Sequence, residues 1–398
     1  MTAFVGVVLA SFSSPSPVEA CGWDYETYQA EAKSMPCVYD ALLGFWPAHD
    51  PAYHRRRLEA FDYAARWYPD WTPGLDARGI SQLKLGELEA ATPLMERRLA
   101  LTPDAYPAHA NLGTLLTFSG EFERALEHID RAMQIEPEAH FGREKYHRAL
   151  VVFLQRVADD PTVAERENFL GFAPTAAQRT HGSKSTFAEL GLEDDAIDAL
   201  VAMITVYGAE ELAEIYFTLG ELLAVRGDKR LAYTAYRRAR GLEHPRKAEA
   251  KRYMDALDAA LMNEFYAGDP EQGRAPGGDP FGGPPGTAHL RPSQRYRGIG
   301  NKYTHERRRA DAMRDAYAAW ERERIDEGLA VWSPEGLEPL YARMNEVRRR
   351  CRAPRVIDDP RAPIGPPSGP EDEGHEEGGP PDEGPGLPRG AERGEGTP

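Results

Sequence analysis

The sequence predicts an all-α protein: a solenoid of helical hairpins, then a further helical segment and a disordered tail. Three observations predict it. Gly79, Gly86, Ala91 and Pro103 recur 34 residues later as Gly113, Gly120, Ala125 and Pro137, and Pro69 extends the ladder backwards by the same step. A fixed period of that size marks stacked supersecondary units. Within each unit the apolar residues recur at helical spacing. Finally, Pro and Gly, 33 and 37 in all, gather in two stretches that read as unable to pack.

In chain order, residues 1–20 come first and read as a signal peptide. Ala3 to Ala10 are apolar, Ser11 to Pro17 are rich in Ser and Pro, and Val18-Glu19-Ala20 suits cleavage before Cys21. The segment departs from the pattern because the first basic residue is Lys33, so either the start lies upstream or this is a frayed apolar N-terminus. Export places the protein outside the cytoplasm, in periplasm, envelope or medium; the alternative is cytoplasmic. Cys21 then has two fates, an acylated lipid anchor or a disulfide with Cys37, against the plain alternative of a free thiol. Cys351 is the third cysteine, and no C-x-x-C pair suggests zinc. No apolar run reaches the roughly 18 residues of a membrane-spanning helix.

Residues 21–266 form the repeat domain, with its clearest units at 72–105, 106–139 and 213–246. In the second unit Leu112-Gly113 and Leu116 belong to the first helix, Gly120 ends it, and Ala125, Ile129 and Ala132 face inward from the second. Gly113 and Ala125 are small because the two helices approach closely there. The first unit departs from the pattern at Arg78. The third uses Tyr216, Leu219-Gly220, Leu223, Gly227, Ala232, Tyr236 and Ala239, with Pro245 displaced by one position. Gly113 to Gly220 is 107 residues, no multiple of 34, so an irregular stretch intervenes between Glu138 and Leu212. It should hold helices near Gly142–Arg156 and Asp195–Val206 and a polar loop at Thr175–Ser185. Tyr53–Trp67 would be the second helix of a degenerate unit, and a terminal helix to Phe265 would cap the stack. Residues 267–303 read as a Gly/Pro-rich linker and 304–352 as a basic helical segment, in two stretches at His305–Gly328 and Pro334–Arg352. In 353–398, 21 of 46 residues are Pro or Gly, a disordered acidic tail.

The hairpin period and its Leu-Gly, Ala and Pro positions match the tetratricopeptide pattern. The stretch His109-Ala-Asn-Leu-Gly-Thr114, continuing through Leu126-Glu-His-Ile129 to Ala139-His-Phe-Gly-Arg-Glu-Lys-Tyr146, resembles a group of secreted bacterial tetratricopeptide-repeat proteins. The likeness covers about Cys21 to Phe265. It implies an exported helical scaffold and supplies no catalytic residue and no cofactor.

Chemistry-bearing clusters are weak. His140, Arg143, Glu144, Lys145, His147 and Arg148 lack the H-E-x-x-H spacing of a zinc site and read as a salt-bridged face. Asp194-Asp195 precedes an apolar run and reads as a helix start, where acids suit the backbone dipole. Gly277-Gly278 and Gly282-Gly283 lack the Lys-Ser/Thr of a phosphate loop. No enzyme, metal or cofactor is therefore expected. A net charge of −16 excludes a nucleic-acid binder.

The remaining expectation is a binding groove on the inner helices. By repeat register its candidates are Asp76, Ile80, Leu83, Ala110, Asn111, Thr114, Thr117, Phe217 and Glu221. Asp76 and Glu221 would repel a terminal carboxylate, so an amphipathic or basic peptide fits better than a chaperone tail. The function expected is a monomeric protein–protein interaction scaffold. The alternatives are a helical enzyme with its site in 138–212 and a structural envelope protein. The tail adds one expectation: residues 371–398 carry nine Asp/Glu and two Arg (−7), residues 295–355 fifteen Lys/Arg and ten Asp/Glu (+5), and the two should attract.

Overall fold

A computed structural model describes residues 36–46, 48–138, 142–181, 187–267 and 299–328. Among them the regular structure is helical, without a strand. In order the helices are α1 (Val38–Leu43), α2 (Pro51–Ala65), α3 (Thr72–Lys84), α4 (Leu88–Leu101), α5 (Tyr106–Phe118), α6 (Phe122–Ile135) and α7 (Glu144–Asp159). There follow α8 (Val163–Arg166), α9 (Ala176–His181), a 3-10 turn (Phe187–Leu190), α10 (Ala196–Thr205), α11 (Ala213–Arg226), α12 (Lys229–Gly241), α13 (Lys247–Ala267) and α14 (Gly300–Asp326). The leader 1–20, Cys21, His140, the glycine pairs, Pro334–Arg352, Cys351 and the tail 353–398 lie outside the described residues.

Helices begin where the local sequence favours a start. Pro51, Pro73 and Pro107 occupy the first turns of α2, α3 and α5, where a missing N–H costs nothing and the fixed φ favours the helix. Asp50 caps α2 by accepting from Ala52 N at 2.9 Å. Gly86, Gly120 and Gly227 follow the first helix of each pair at φ +77°, +76° and +90°, a backbone that disfavours side chains. One spacing is common to all three pairs. A Cβ on Gly79 would meet Met95, one on Gly113 would meet Ile129, and one on Gly220 would meet Tyr236. In each case the neighbour is sixteen positions on, so the same close crossing is built three times.

Packing runs from neighbour to neighbour: α2 on α3, α3 on α4, α4 on α5, α5 on α6 and α6 on α7. Ile80, Leu83, Met95, Leu112, Leu116, Ile129 and Val151 form the core of that half. A larger core joins α7 and α10–α13 with Trp46 and Leu42 at the N-terminal end. The irregular stretch departs from expectation at one place: residues expected as loop after Thr175 include the short helix α9, which packs on α11 and α13.

The basic segment also differs from its expectation as a separate body beyond a linker. α14 begins at Gly300 and lies against α1 and α2. Its apolar contact is small, centred on Ala310 with Leu43 and Phe45. Polar links accompany it. Arg307 donates to Leu43 O at 3.3 Å, Arg314 makes two bonds to Glu210 (2.8 and 2.9 Å), and Glu321 accepts from Asp50 N at 2.7 Å. At its start, Arg237 of α12 donates to Gly300 O and Thr304 Oγ1.

Candidate functional site

The nine groove candidates are all buried. α5 is covered continuously from Ala108 to Thr117 and α11 from Glu214 to Val225, so these helices sit in the middle of the protein and do not line an open surface. Several candidates have structural partners instead. Asp76 accepts from Arg98 Nε at 2.9 Å and from Asn111 Nδ2 at 3.4 Å, tying α3 to α4 and α5. Thr117 Oγ1 donates to Gly113 O at 2.9 Å. The face expected to be open on α11 is filled by the irregular stretch, because its Asn168 and Arg179 reach Glu221.

That contact belongs to a buried polar network. Glu221 accepts from Asn168 Nδ2 at 2.6 Å on one oxygen and from Arg179 at 2.8 and 3.1 Å on the other. Two helical turns earlier on the same face, Glu214 accepts from Thr218 Oγ1 (2.8 Å) and Phe169 N (2.9 Å), and meets His244 Nε2 at 2.8 Å. Phe217 stands between them, stacked on His244 with centroids 4.4 Å apart and facing the Arg246 guanidinium at 4.4 Å. Burial raises the Glu221 carboxyl above its usual range, and Arg179 and Arg246 oppose that rise. Burial also pushes the nearby Tyr236 hydroxyl well up, aided by the Glu221 charge. The carboxylates are saturated by donors from α9, from α11 itself, and from the segments around Asn168 and His244. This geometry pins the irregular stretch to the repeat, and it leaves Glu221 about 1% exposed.

The other clusters named from sequence resolve into pairs. Glu144 is bonded to His147 Nδ1 at 2.9 Å, and Arg148 reaches Asp130 across to α6. Asp195 holds the N-cap position of α10 without a side-chain cap bond; it accepts instead from Tyr146 and faces Lys145 at 3.6 Å. The helix start read from sequence is in place, with the Asp195 carboxylate turned to these tertiary partners. Cys37 precedes α1 and is disulfide-bonded.

The surface that stands out was missed by sequence reasoning. Tyr63, Trp67, Tyr68 and Trp71 are exposed together where α2 turns into α3, Trp67 by 71% and Tyr68 by 63%. Trp71 is held in place by stacking on Phe61 at 5.8 Å and by lying on Gly74, where a Cβ would come within 2.7 Å of the indole. Arg66 lies over the Tyr63 ring at 5.5 Å. Large aromatics left in water cost free energy, and clusters of them mark contact surfaces. The signal was visible as four aromatics in nine residues around Pro69, a density that helical periodicity had absorbed into a degenerate repeat.

Among the described residues no group of three metal-ligating side chains converges. No helix there is long and apolar enough to cross a membrane. No protein-family model matches the chain, and no curated protein is similar to it.

Proposed function

We propose that this chain is a tetratricopeptide-like scaffold without catalytic activity, working outside the cytoplasm, and that it holds a segment of another protein at its aromatic edge. The observation that carries this reading is the exposed set Tyr63, Trp67, Tyr68 and Trp71. Tyr and Trp supply broad, stiff, amphipathic contact area at low entropic cost, which is why they anchor interfaces. Apolar or proline side chains of a partner segment are the chemistry such rings accept. The threefold repetition of the Gly-to-residue-sixteen crossing supports the tetratricopeptide reading. The disulfide at Cys37 supports an oxidising compartment. The helical-enzyme alternative would draw on Asn168, Arg179 and Glu221, whose mutual bonds support a structural role.

The test uses the double substitution Trp67→Ala/Tyr68→Ala, which touches exposed side chains and should leave the helical circular dichroism unchanged. Wild-type and variant proteins are used as baits in envelope extract, and retained proteins are compared by mass spectrometry. At least one protein retained by the wild type should be lost from the variant. Identical retained sets would remove the aromatic edge from the mechanism.

A further inference from the structure

The chain carries −16 overall, yet residues 229–256 contain nine Lys/Arg against three Asp/Glu, a local net of +6. This stretch is α12, its turn and the first half of α13. A cleft of about 870 Å³ opens between these two helices and the first turn of α14. Its cations are Arg237, Arg240, Lys247 and Lys251, and Tyr233 and Tyr303 form part of its wall. Glu243 and Asp255 also line it, leaving the lining at +2.

The cations differ in how firmly they are held. Arg237 is fixed by its bonds to Gly300 O (3.1 Å) and Thr304 Oγ1 (2.8 Å) and lies over the Tyr303 ring at 4.6 Å. Lys247 pairs with Glu243 and Lys251 with Asp255, one helical turn apart or across the turn between helices. Their side chains are about half exposed, and pairs of that kind contribute little and exchange readily. Arg240 is exposed at the edge of the cleft. The cleft therefore offers one rigid and three adaptable cations beside aromatic walls, a surface suited to an acidic peptide.

The same chain contains such a peptide. Residues 371–398 carry −7. The cations of α14, which the sequence analysis paired with that segment, are partly committed: Arg307 to Leu43 and Asp311, Arg314 to Glu210, Arg322 to Asp50. We propose that the acidic segment 371–398 docks in the cleft between α12, α13 and α14, contacting Arg240, Lys247 and Lys251. Distance permits it. Gly328 lies just past the far end of α14, and this 27-residue helix is roughly 40 Å long. The connection of 42 residues from 329 to 370 covers roughly 63 Å even at the 1.5 Å rise of a continuous helix. A tethered ligand of this kind experiences an effective concentration on the order of millimolar. The contact is independent of the aromatic edge.

Zero-length carbodiimide coupling of the full-length protein tests the placement, since it joins a carboxylate to a lysine only where the two touch. The chain has eight lysines, and Lys33, Lys145 and Lys184 serve as controls. Peptide mapping should find residues 371–398 joined to Lys247 or Lys251, with yields that fall several-fold when salt is raised from ~20 mM to ~500 mM, where screening is strong. Arg240→Glu should lower those yields at least threefold. Arg124→Glu, an exposed cation on α6, should leave them unchanged. Equal coupling of the segment to the control lysines, or yields indifferent to Arg240→Glu, would overturn the proposal. A mixture of ordinary and isotope-labelled chains separates cis from trans: couplings mainly between the two kinds of chain would assign the cleft to an acidic segment from outside and overturn the docking within one chain.

Discussion

The three equivalent glycines should not be equally replaceable by alanine. Alanine in a helix interior gains about 0.8–1.0 kcal/mol over glycine, and overpacking a filled core costs about 1–3 kcal/mol; the sign depends on which neighbour must yield. At Gly79 the new Cβ would lie 2.5 Å from Met95 Cε and 3.1 Å from Sδ. Those are the flexible end of an unbranched side chain, which can turn aside at small cost. At Gly113 the neighbours are Ile129 Cγ1 at 2.8 Å and two backbone atoms, Ala125 O at 3.2 Å and Ile129 N at 3.4 Å. Relief there requires the helices to separate. At Gly220 the obstacle is the Tyr236 ring at 2.8, 2.9 and 3.1 Å, enclosed on all sides. Gly79→Ala should therefore lie within about 0.5 kcal/mol of wild type or above it, while Gly113→Ala and Gly220→Ala each lose about 1–2 kcal/mol. Urea denaturation followed by circular dichroism reads this directly, provided the slope m stays constant across the set. If Gly113→Ala and Gly220→Ala proved as stable as Gly79→Ala, the equivalent close crossings would be wrong.

Two further outcomes can be measured on the same protein. His54 is buried, and desolvation, aided by His49, Lys84 and Arg57, holds its pKa well below the ordinary 6.5. The unfolded chain therefore binds a proton near pH 6.5 that the folded chain refuses, so stability should fall on acidification by up to about 1.4 kcal/mol per pH unit below that value. His54→Phe should flatten that part of a stability–pH curve, and an unchanged slope would show that other groups govern it. Glu221→Ala leaves Arg179 and Arg246 facing each other's charge without the shared carboxylate, a loss of roughly 3–5 kcal/mol for a buried pair. Amide exchange should accelerate in residues 168–179 before it does so in α3–α6; uniform acceleration would mean that the network does not specifically hold the irregular stretch.

What could be read from the sequence follows the physics of local order. Helix starts at Thr72, Tyr106 and Ala213 coincide with those observed, because first-turn prolines, turn glycines and apolar spacing act within a few residues. The inward role of Gly113 and Ala125 was legible for the same reason. Exposure was not. Whether Asp76 or Glu221 faces a groove depends on what packs over it, and the covering residues Arg98, Asn168 and Arg179 lie 22, 53 and 42 positions away. The same limit hid the docking of α14, though not the helix itself, which was expected at His305–Gly328. Its charged sequence has little apolar pattern, and its docking rests on bonds such as Asp50 to Glu321 that span 271 positions.

That bond joins parts of the chain that neighbour-to-neighbour packing alone would leave unconnected. Stacked hairpins usually lengthen or shorten by whole units, since each touches only the next. Here α14 is fastened to Arg237 of α12 at Gly300 and to Asp50 at Glu321, points roughly 32 Å apart along the helix. α14 thereby reinforces a closure that α1 already makes on α10 and α12, much as a string shortens the free span of a bow.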